Sequence, residues 1–213
     1  NFRFTSGDAQ DIVSNSSIDT VFIATRHNLH AAQVIEGLKN KKHVFVEKPL
    51  CLTMQELEEI KRLYDKQAVQ LMIGFNRRFS PLVQRITTLF DKKAPKAINY
   101  RINAGEIPAD NWIQNKDIGG GRIIGEVCHF VDLCMYIAAS PITHVSAFVM
   151  NHGKNLNDTL VVNLKFQNQS IATVSYFANG SKAMKKEYLE VFSNGVSAVL
   201  DDFRELKIYS KSF

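Results

Sequence analysis

The stretch His43-Val44-Phe45-Val46-Glu47-Lys48-Pro49-Leu50 decides how the chain is read. Val44, Phe45 and Val46 form a short β-favouring apolar run, which predicts a strand covered on both faces. The run stops at Glu47-Lys48, and that puts a charged pair at the carboxyl edge of a sheet, where open α/β folds take their ligands. Pro49 lacks a backbone N–H and holds Lys48 extended, so the backbone directs the lysine. A lysine held this way at a crevice can serve as an acid or a base. Taken alone, the same residues also read as a solvated Glu-Lys turn at a strand end.

Working outward, Asp19 to Ala24 reads as a buried strand of Val, Phe and Ile. His30 to Leu38 carries a helical stripe at Ala31, Val34, Ile35 and Leu38, closed by Gly37 and a lysine run. Asp8 caps a short helix ending at Ser14. Thr53-Met54-Gln55-Glu56 is a capping box opening a helix to about Lys66, with Leu57, Ile60, Leu63 and Tyr64 inward. Val69 to Phe75 is another strand. Strands and helices alternating at this length predict a parallel, doubly wound sheet.

Ser80-Pro81 starts a helix to Phe90. Beyond Pro95 the texture changes. A strand over 96–103 and a polar loop lead to Gly119-Gly120-Gly121. A helix from about Ile124 to Ala138 is expected to bury Ile124, Val127, Cys128, Val131, Met135 and Ala138. From Ile142 only strands follow, over 143–150, 159–166, 170–177, 187–192, 196–200 and 205–209, with Asn194-Gly195 as a two-residue hairpin turn. The fold class is therefore α/β followed by α+β. An incomplete Rossmann-like sheet over 1–94 precedes a mostly antiparallel open sheet, with a helix on one face, over 95–213.

With 213 residues, 45% of them hydrophobic, the chain can bury a core in one or two domains. No apolar run approaches the roughly 18 residues a membrane helix needs, and no signal peptide is visible. Cys51, Cys128 and Cys134 lack metal or disulfide spacing, so a reducing cytoplasm is the expected setting. The net charge of +5 is mild, and the clusters Lys39-Lys41-Lys42 and Lys182-Lys185-Lys186 lack the aromatic company of a nucleic-acid site.

Three ordered motifs carry a resemblance. Val21-Phe-Ile-Ala-Thr25-Arg-His-Asn-Leu-His30-Ala followed by Glu47-Lys48-Pro49 resembles the glucose-fructose oxidoreductase / inositol dehydrogenase family (Gfo/Idh/MocA). Gly74-Phe-Asn-Arg-Arg-Phe-Ser-Pro81 and Gly119-Gly-Gly-Arg-Ile-Ile-Gly-Glu-Val-Cys-His-Phe-Val-Asp132 resemble its next two signatures. The resemblance implies an NAD(P)-dependent oxidoreductase acting on a sugar, sugar nucleotide or polyol. Gly125-Glu-x-Cys-His-Phe-x-Asp132 further resembles a branch fused to a zinc alcohol dehydrogenase-like domain. No Gly-x-Gly-x-x-Gly occurs in the sequence. In the resembled family that phosphate loop lies upstream of Asn1, and a further segment follows Phe213, so the chain is expected to be a fragment.

Lys48 is the first catalytic candidate, because hydride leaving a carbinol carbon must be matched by loss of the hydroxyl proton. His129 is the second, with a hydrogen-bonded structural histidine as the alternative. The family's Asp four residues before this histidine is Gly125 here, and Glu126 is the candidate replacement carboxylate. Ala24, Thr25, Glu47, Lys48 and Pro49 border the dinucleotide by resemblance, and Asn76 and Arg77 open the nicotinamide end. His27 and His30, three apart at a helix start, read as cofactor contacts or caps rather than metal ligands. Trp112 and Asp132, together with Lys48 and His129, are substrate candidates. The competing function is an assembly module that has lost catalysis. The strands of the second half leave one apolar face uncovered, which predicts a homo-oligomer.

Overall fold

The computed structural model describes residues 5–151 and 158–210. The expectations attached to Asn1-Phe2-Arg3-Phe4 and Phe213 lie outside those residues. Contacts divide the chain into two units, Asn1–Gly74 with Asn115–Glu126, and Phe75–Gln114 with Val127–Phe213.

The first unit begins with helix α1 (Ala9–Val13), capped by Asp8, whose carboxylate accepts from the Gln10 amide at 2.9 Å. Strands β1 (Thr20–Ile23), β2 (His43–Val46) and β3 (Leu71–Ile73) lie side by side in parallel, in the order β1-β2-β3. Helix α2 (His27–Lys39) connects the first two and α3 (Met54–Tyr64) the last two. The predicted capping box is present, with Thr53 and Glu56 serving each other's backbone amides. Val34, Ile35 and Leu38 of α2 and Ile60 of α3 pack on Val21, Ile23, Val44 and Val46. Covering on both faces, expected from the continuous apolar run, is not what is observed. The helices cover one face, while Phe22 on the other is 76% exposed and stacks on half-buried Phe45, centroids 5.2 Å apart. In α3 only Ile60 is buried, and Leu57 and Tyr64 face outward.

The second unit opens with a 3₁₀ turn at Asn76–Phe79 and helix α4 (Pro81–Leu89), begun by proline at its first position. Strand β4 (Ala97–Asn103) follows, and after helix α5 (Cys128–Ala138) come β5 (Ile142–Met150), β6 (Thr159–Phe166), β7 (Ile171–Phe177), β8 (Glu187–Ser193), β9 (Val196–Asp201) and β10 (Glu205–Ser210). They form one sheet in the order β10-β9-β8-β4-β7-β6-β5, with β4 in the middle. Its pairs are antiparallel except β4–β7, which is parallel. Asn194 and Gly195 both have positive φ, 49° and 77°, as the tight turn between β8 and β9 requires. Val83 and Ile86 of α4 join Phe130, Leu133 and Ile137 of α5 over Ile98, Tyr100, Val174, Tyr176, Leu189 and Val191.

Of the stripe expected for the helix over 124–138, Val127 and Ala138 are buried and the rest is corrected. The run leading into α5 makes a π turn over Ile123–Val127. Ile124 and Met135 are exposed, whereas Phe130, Leu133, Cys134 and Ile137 are buried. A π turn adds a residue, and each residue rotates the helix by about 100°, so an unbroken α-helical reading picks the wrong face. Among the described residues no helix is long and apolar enough to cross a membrane.

Candidate functional site

Strand β2 ends where expected. The Glu47 amide donates to the Ile23 carbonyl and the Gly74 amide to the Val46 carbonyl, both at 2.8 Å, so the carboxyl ends of all three parallel strands are pinned together. Ala24, Thr25 and Glu47 stand exposed at that edge. Lys48 follows, half-buried, through a cis peptide bond to buried Pro49. Its amine donates to the Gly125 carbonyl at 2.7 Å. The rest of the turn is held by His30, which is 1% exposed. His30 Nδ1 lies 2.7 Å from the Pro49 carbonyl and Nε2 3.0 Å from the Thr25 carbonyl, which ties the end of β1 to the residue after the lysine. Both ring nitrogens are committed to backbone oxygens, so a metal-binding pair with His27 does not form.

His27, at the first turn of α2, is buried, and its Nδ1 donates to the Gly119 carbonyl at 2.8 Å. Burial lowers its pKa from the ordinary value of 6.5. The bond to Gly119 opposes that, Lys48 and His30 lower it further, and Glu126 opposes again. The Asn28 amide also donates to the Ile118 carbonyl, at 3.0 Å. The segment over 115–126 is thus gripped by its backbone, through Ile118, Gly119 and Gly125. Gly120 and Gly121 shape it with φ of 71° and 81°, where a side chain is strained. A Cβ at Gly125 would lie 2.9 Å from His27 Cε1, closer than unbonded carbons approach. Glu126, the candidate replacement carboxylate, accepts from buried Arg122, whose Nε lies 3.1 Å from its Oε1.

The other candidates belong to the second unit. Arg77 is engaged by Glu187, with its Nε 2.9 Å from Oε2, and Tyr100 donates to the same carboxylate. The Arg77 guanidinium also sits 4.8 Å above the Phe130 ring. Arg78 pairs in the same two-armed way with Asp132, Nε to Oδ2 at 2.6 Å. His129 is buried with its ring edge-on to Phe75 at 5.9 Å. Asn76 starts the 3₁₀ turn before α4, and half-buried Trp112 starts another ending at Gln114. Sequence reasoning missed Glu187, Tyr100 and Arg122 as partners, and missed the carbonyls of Gly119 and Gly125. The glycine triplet was the available signal for the carbonyls; nothing local marked Glu187.

Residues 3–75 match the family model described as oxidoreductase family, NAD-binding Rossmann fold. Residues 85–197, more than half of the chain, match the GFO/IDH/MocA C-terminal domain. The chain belongs to the GFO/IDH/MocA family. Among relatives of this GFO/IDH/MocA chain, an uncharacterized oxidoreductase of Bacillus subtilis, YrbE, is 29% identical over 95% of this chain and 61% of its own length. Myo-inositol 2-dehydrogenase of Thermotoga maritima is 27% identical over 94% and 62%. The crystal structure of an oxidoreductase domain protein from Kribbella flavida superposes with a TM-score of 0.84 at 22% identity, covering 95% of this chain and 60% of that one, and shows the same fold. The chain thus spans about three-fifths of the length of these relatives.

Proposed function

We propose that the protein is an NAD(P)-dependent oxidoreductase that moves a hydride between nicotinamide and a hydroxyl-bearing carbon of a sugar, sugar nucleotide or polyol. The observation that carries the reading is the Lys48 amine, fixed at the carboxyl end of β2 by the Gly125 carbonyl. Family membership and the name of the myo-inositol relative support the substrate class.

The residues present fit the nicotinamide end of such a cofactor. Ala24, Thr25 and Glu47 are open at the sheet edge, and the buried backbone of Gly125 supplies the carbonyl that holds Lys48 beside them. The cofactor supplies the hydride acceptor. The chain's own part is to hold Lys48 where its positive charge stabilises oxygen as the hydroxyl proton leaves. His129, Asp132 and Trp112 are assigned to the substrate and Asn76 and Arg77 to the nicotinamide end. The same reading gives residues 1–94 to the dinucleotide and 95–213 to substrate and self-association. The string Gly125–Asp132 supports the finer placement in the branch carrying a zinc alcohol dehydrogenase-like domain.

The exposed Val145, Phe148, Val149 and Ile171 support a homo-oligomer built on the sheet, which sedimentation at micromolar concentration tests. The second reading, an assembly module without turnover, is favoured by one feature, the glycine where the family carries Asp. Titration of the full-length protein with NADH and NADPH, beside Lys48→Met, separates the two. An enzyme binds one dinucleotide in both forms and loses roughly 10²-fold or more of its turnover on substitution. A folded protein that binds neither dinucleotide sinks the oxidoreductase reading.

A further inference from the structure

Strand β5 ends the seven-stranded sheet and is paired on one side only, with β6. We infer that its free edge pairs antiparallel with β5 of a second copy, about a two-fold axis at Ala147, so that the two sheets become one. The inference rests on the homo-oligomer reading above and deepens it to a named strand, partner and register.

Three features of the strand support the assignment. The first is what it leaves open. Among the described residues no backbone hydrogen bond reaches the outer edge of β5, and every residue from Thr143 to Met150 is exposed. Val145, Ala147 and Val149 lie opposite Leu164, Val162 and Leu160, all three buried, and opposite residues share a face. The core face of the sheet therefore runs on into β5, where Val145 is 63% exposed and Val149 48%.

The second is what the strand lacks. A free edge is a row of unpaired donors and acceptors, and monomeric proteins guard it with charge, proline or a bulge. At the far edge of the same sheet β10 carries Glu205 and Lys207, joined by a 3.3 Å ion pair. No Asp, Glu, Lys, Arg or Pro occurs in β5, and its register shift falls at its start, between Ile142 and His144. The stretch from His144 to Met150 is left regular and unguarded.

The third is that this stretch is complementary to itself. Antiparallel pairing centred on its middle residue sets Ala147 against Ala147 of the second copy. Val145 then meets Val149 on the core face, a β-branched pair. On the outer face Ser146 meets Phe148, small against large, and His144 meets Met150. Moving the axis to Ser146 would part the valines and draw the irregular start of the strand into the pairing.

The test uses the full-length protein. Ala147→Cys is expected to give a disulfide-linked dimer on mild oxidation, because directly opposite side chains have Cβ atoms about 4.5–5.5 Å apart. Peptide mass spectrometry is expected to place the bond at position 147. Met150→Cys, about 20 Å from its own copy in this register, is expected to form no such link. In sedimentation at micromolar concentration the wild-type protein is expected to associate. Ala147→Lys sets like charges face to face at an exposed position and should weaken association at least about tenfold. Should circular dichroism show that the lysine disturbs the fold, the cysteine pair decides alone. A protein that associates but does not cross-link at position 147 overturns the edge pairing and leaves the homo-oligomer reading standing. So does a folded Ala147→Lys protein that associates as tightly as wild type. A wild-type monomer overturns both. Slow hydrogen exchange of the β5 amides that does not depend on protein concentration places another segment of the full-length protein on the edge, and overturns the pairing as well.

Discussion

The Lys48 amine donates to the backbone carbonyl of Gly125, 77 positions further along the chain, at 2.7 Å. A side chain can be replaced by mutation, but a carbonyl can only be moved. Whatever shapes the segment over 115–126 therefore sets the direction of the lysine, and its direction is what proton chemistry depends on.

Gly120→Ala tests that dependence. The glycine has φ of 71°, and a Cβ there would lie 2.6 Å from Leu52 Cδ2. Left-handed backbone and overpacking together should cost about 2 kcal/mol or more. That corresponds to a fall in melting temperature of roughly 4–8 °C in a chain of this size. Circular-dichroism melts of the two proteins check it, and an unchanged midpoint would show that the segment yields freely.

Glu187→Ala addresses the second unit. Its carboxylate is nearly buried and satisfies both Arg77 and Tyr100. Removing it leaves a half-buried guanidinium without its counter-charge, a loss of about 2–4 kcal/mol in urea unfolding. Tyr100 supplies a separate spectroscopic check. Burial, and then the negative charge of Glu187, push its phenol well above the ordinary range. An ultraviolet titration should find this tyrosine silent until alkaline unfolding; its ionisation in the native protein would contradict the arrangement.

Cysteine reactivity follows from burial. Cys134 is fully enclosed in α5 and its thiol is pushed up to about 12, first by desolvation and then by Asp132. At about pH 8 it should resist a thiolate-specific reagent in the native protein and react after denaturation. Mass spectrometry of the labelled peptides distinguishes it from Cys51 and Cys128.

Stability should also depend on His27. Its folded pKa lies below the unfolded value near 6.5, so in acid the unfolded chain binds more protons than the folded one. The slope of unfolding free energy against pH is then positive, and stability falls as pH drops through 6.5 towards the folded value. Above that window His27 contributes no slope. Urea midpoints between about pH 5 and 8 should drop less in His27→Asn than in wild type. Parallel curves for the two proteins would show that folding does not lower the pKa of the ring.

Much of this architecture is local and therefore legible. The capping box at Thr53 and Glu56, the proline start of α4, the hairpin at Asn194-Gly195 and the limits of β6 follow from neighbours within a few positions. The position of Lys48 at a strand end is local too, because Pro49 and the apolar run before it suffice.

What only the tertiary structure decided involves partners far apart in sequence. Parallel pairing of β4 with β7, the Arg77–Glu187 pair 110 positions apart and the Arg78–Asp132 pair 54 apart have no local signature. Exposure of Phe22 depends on which sheet face the helices cover, and periodicity cannot say that. The buried face of α5 was misread in part, at Ile124 and Met135, because a π turn precedes it and shifts the helical phase. Residue type and short-range spacing determined the strands, the helix starts and the family motifs. Folding decided which carbonyl meets Lys48 and which ring fills the space at Gly125, because backbone oxygens and missing side chains carry no letter of their own.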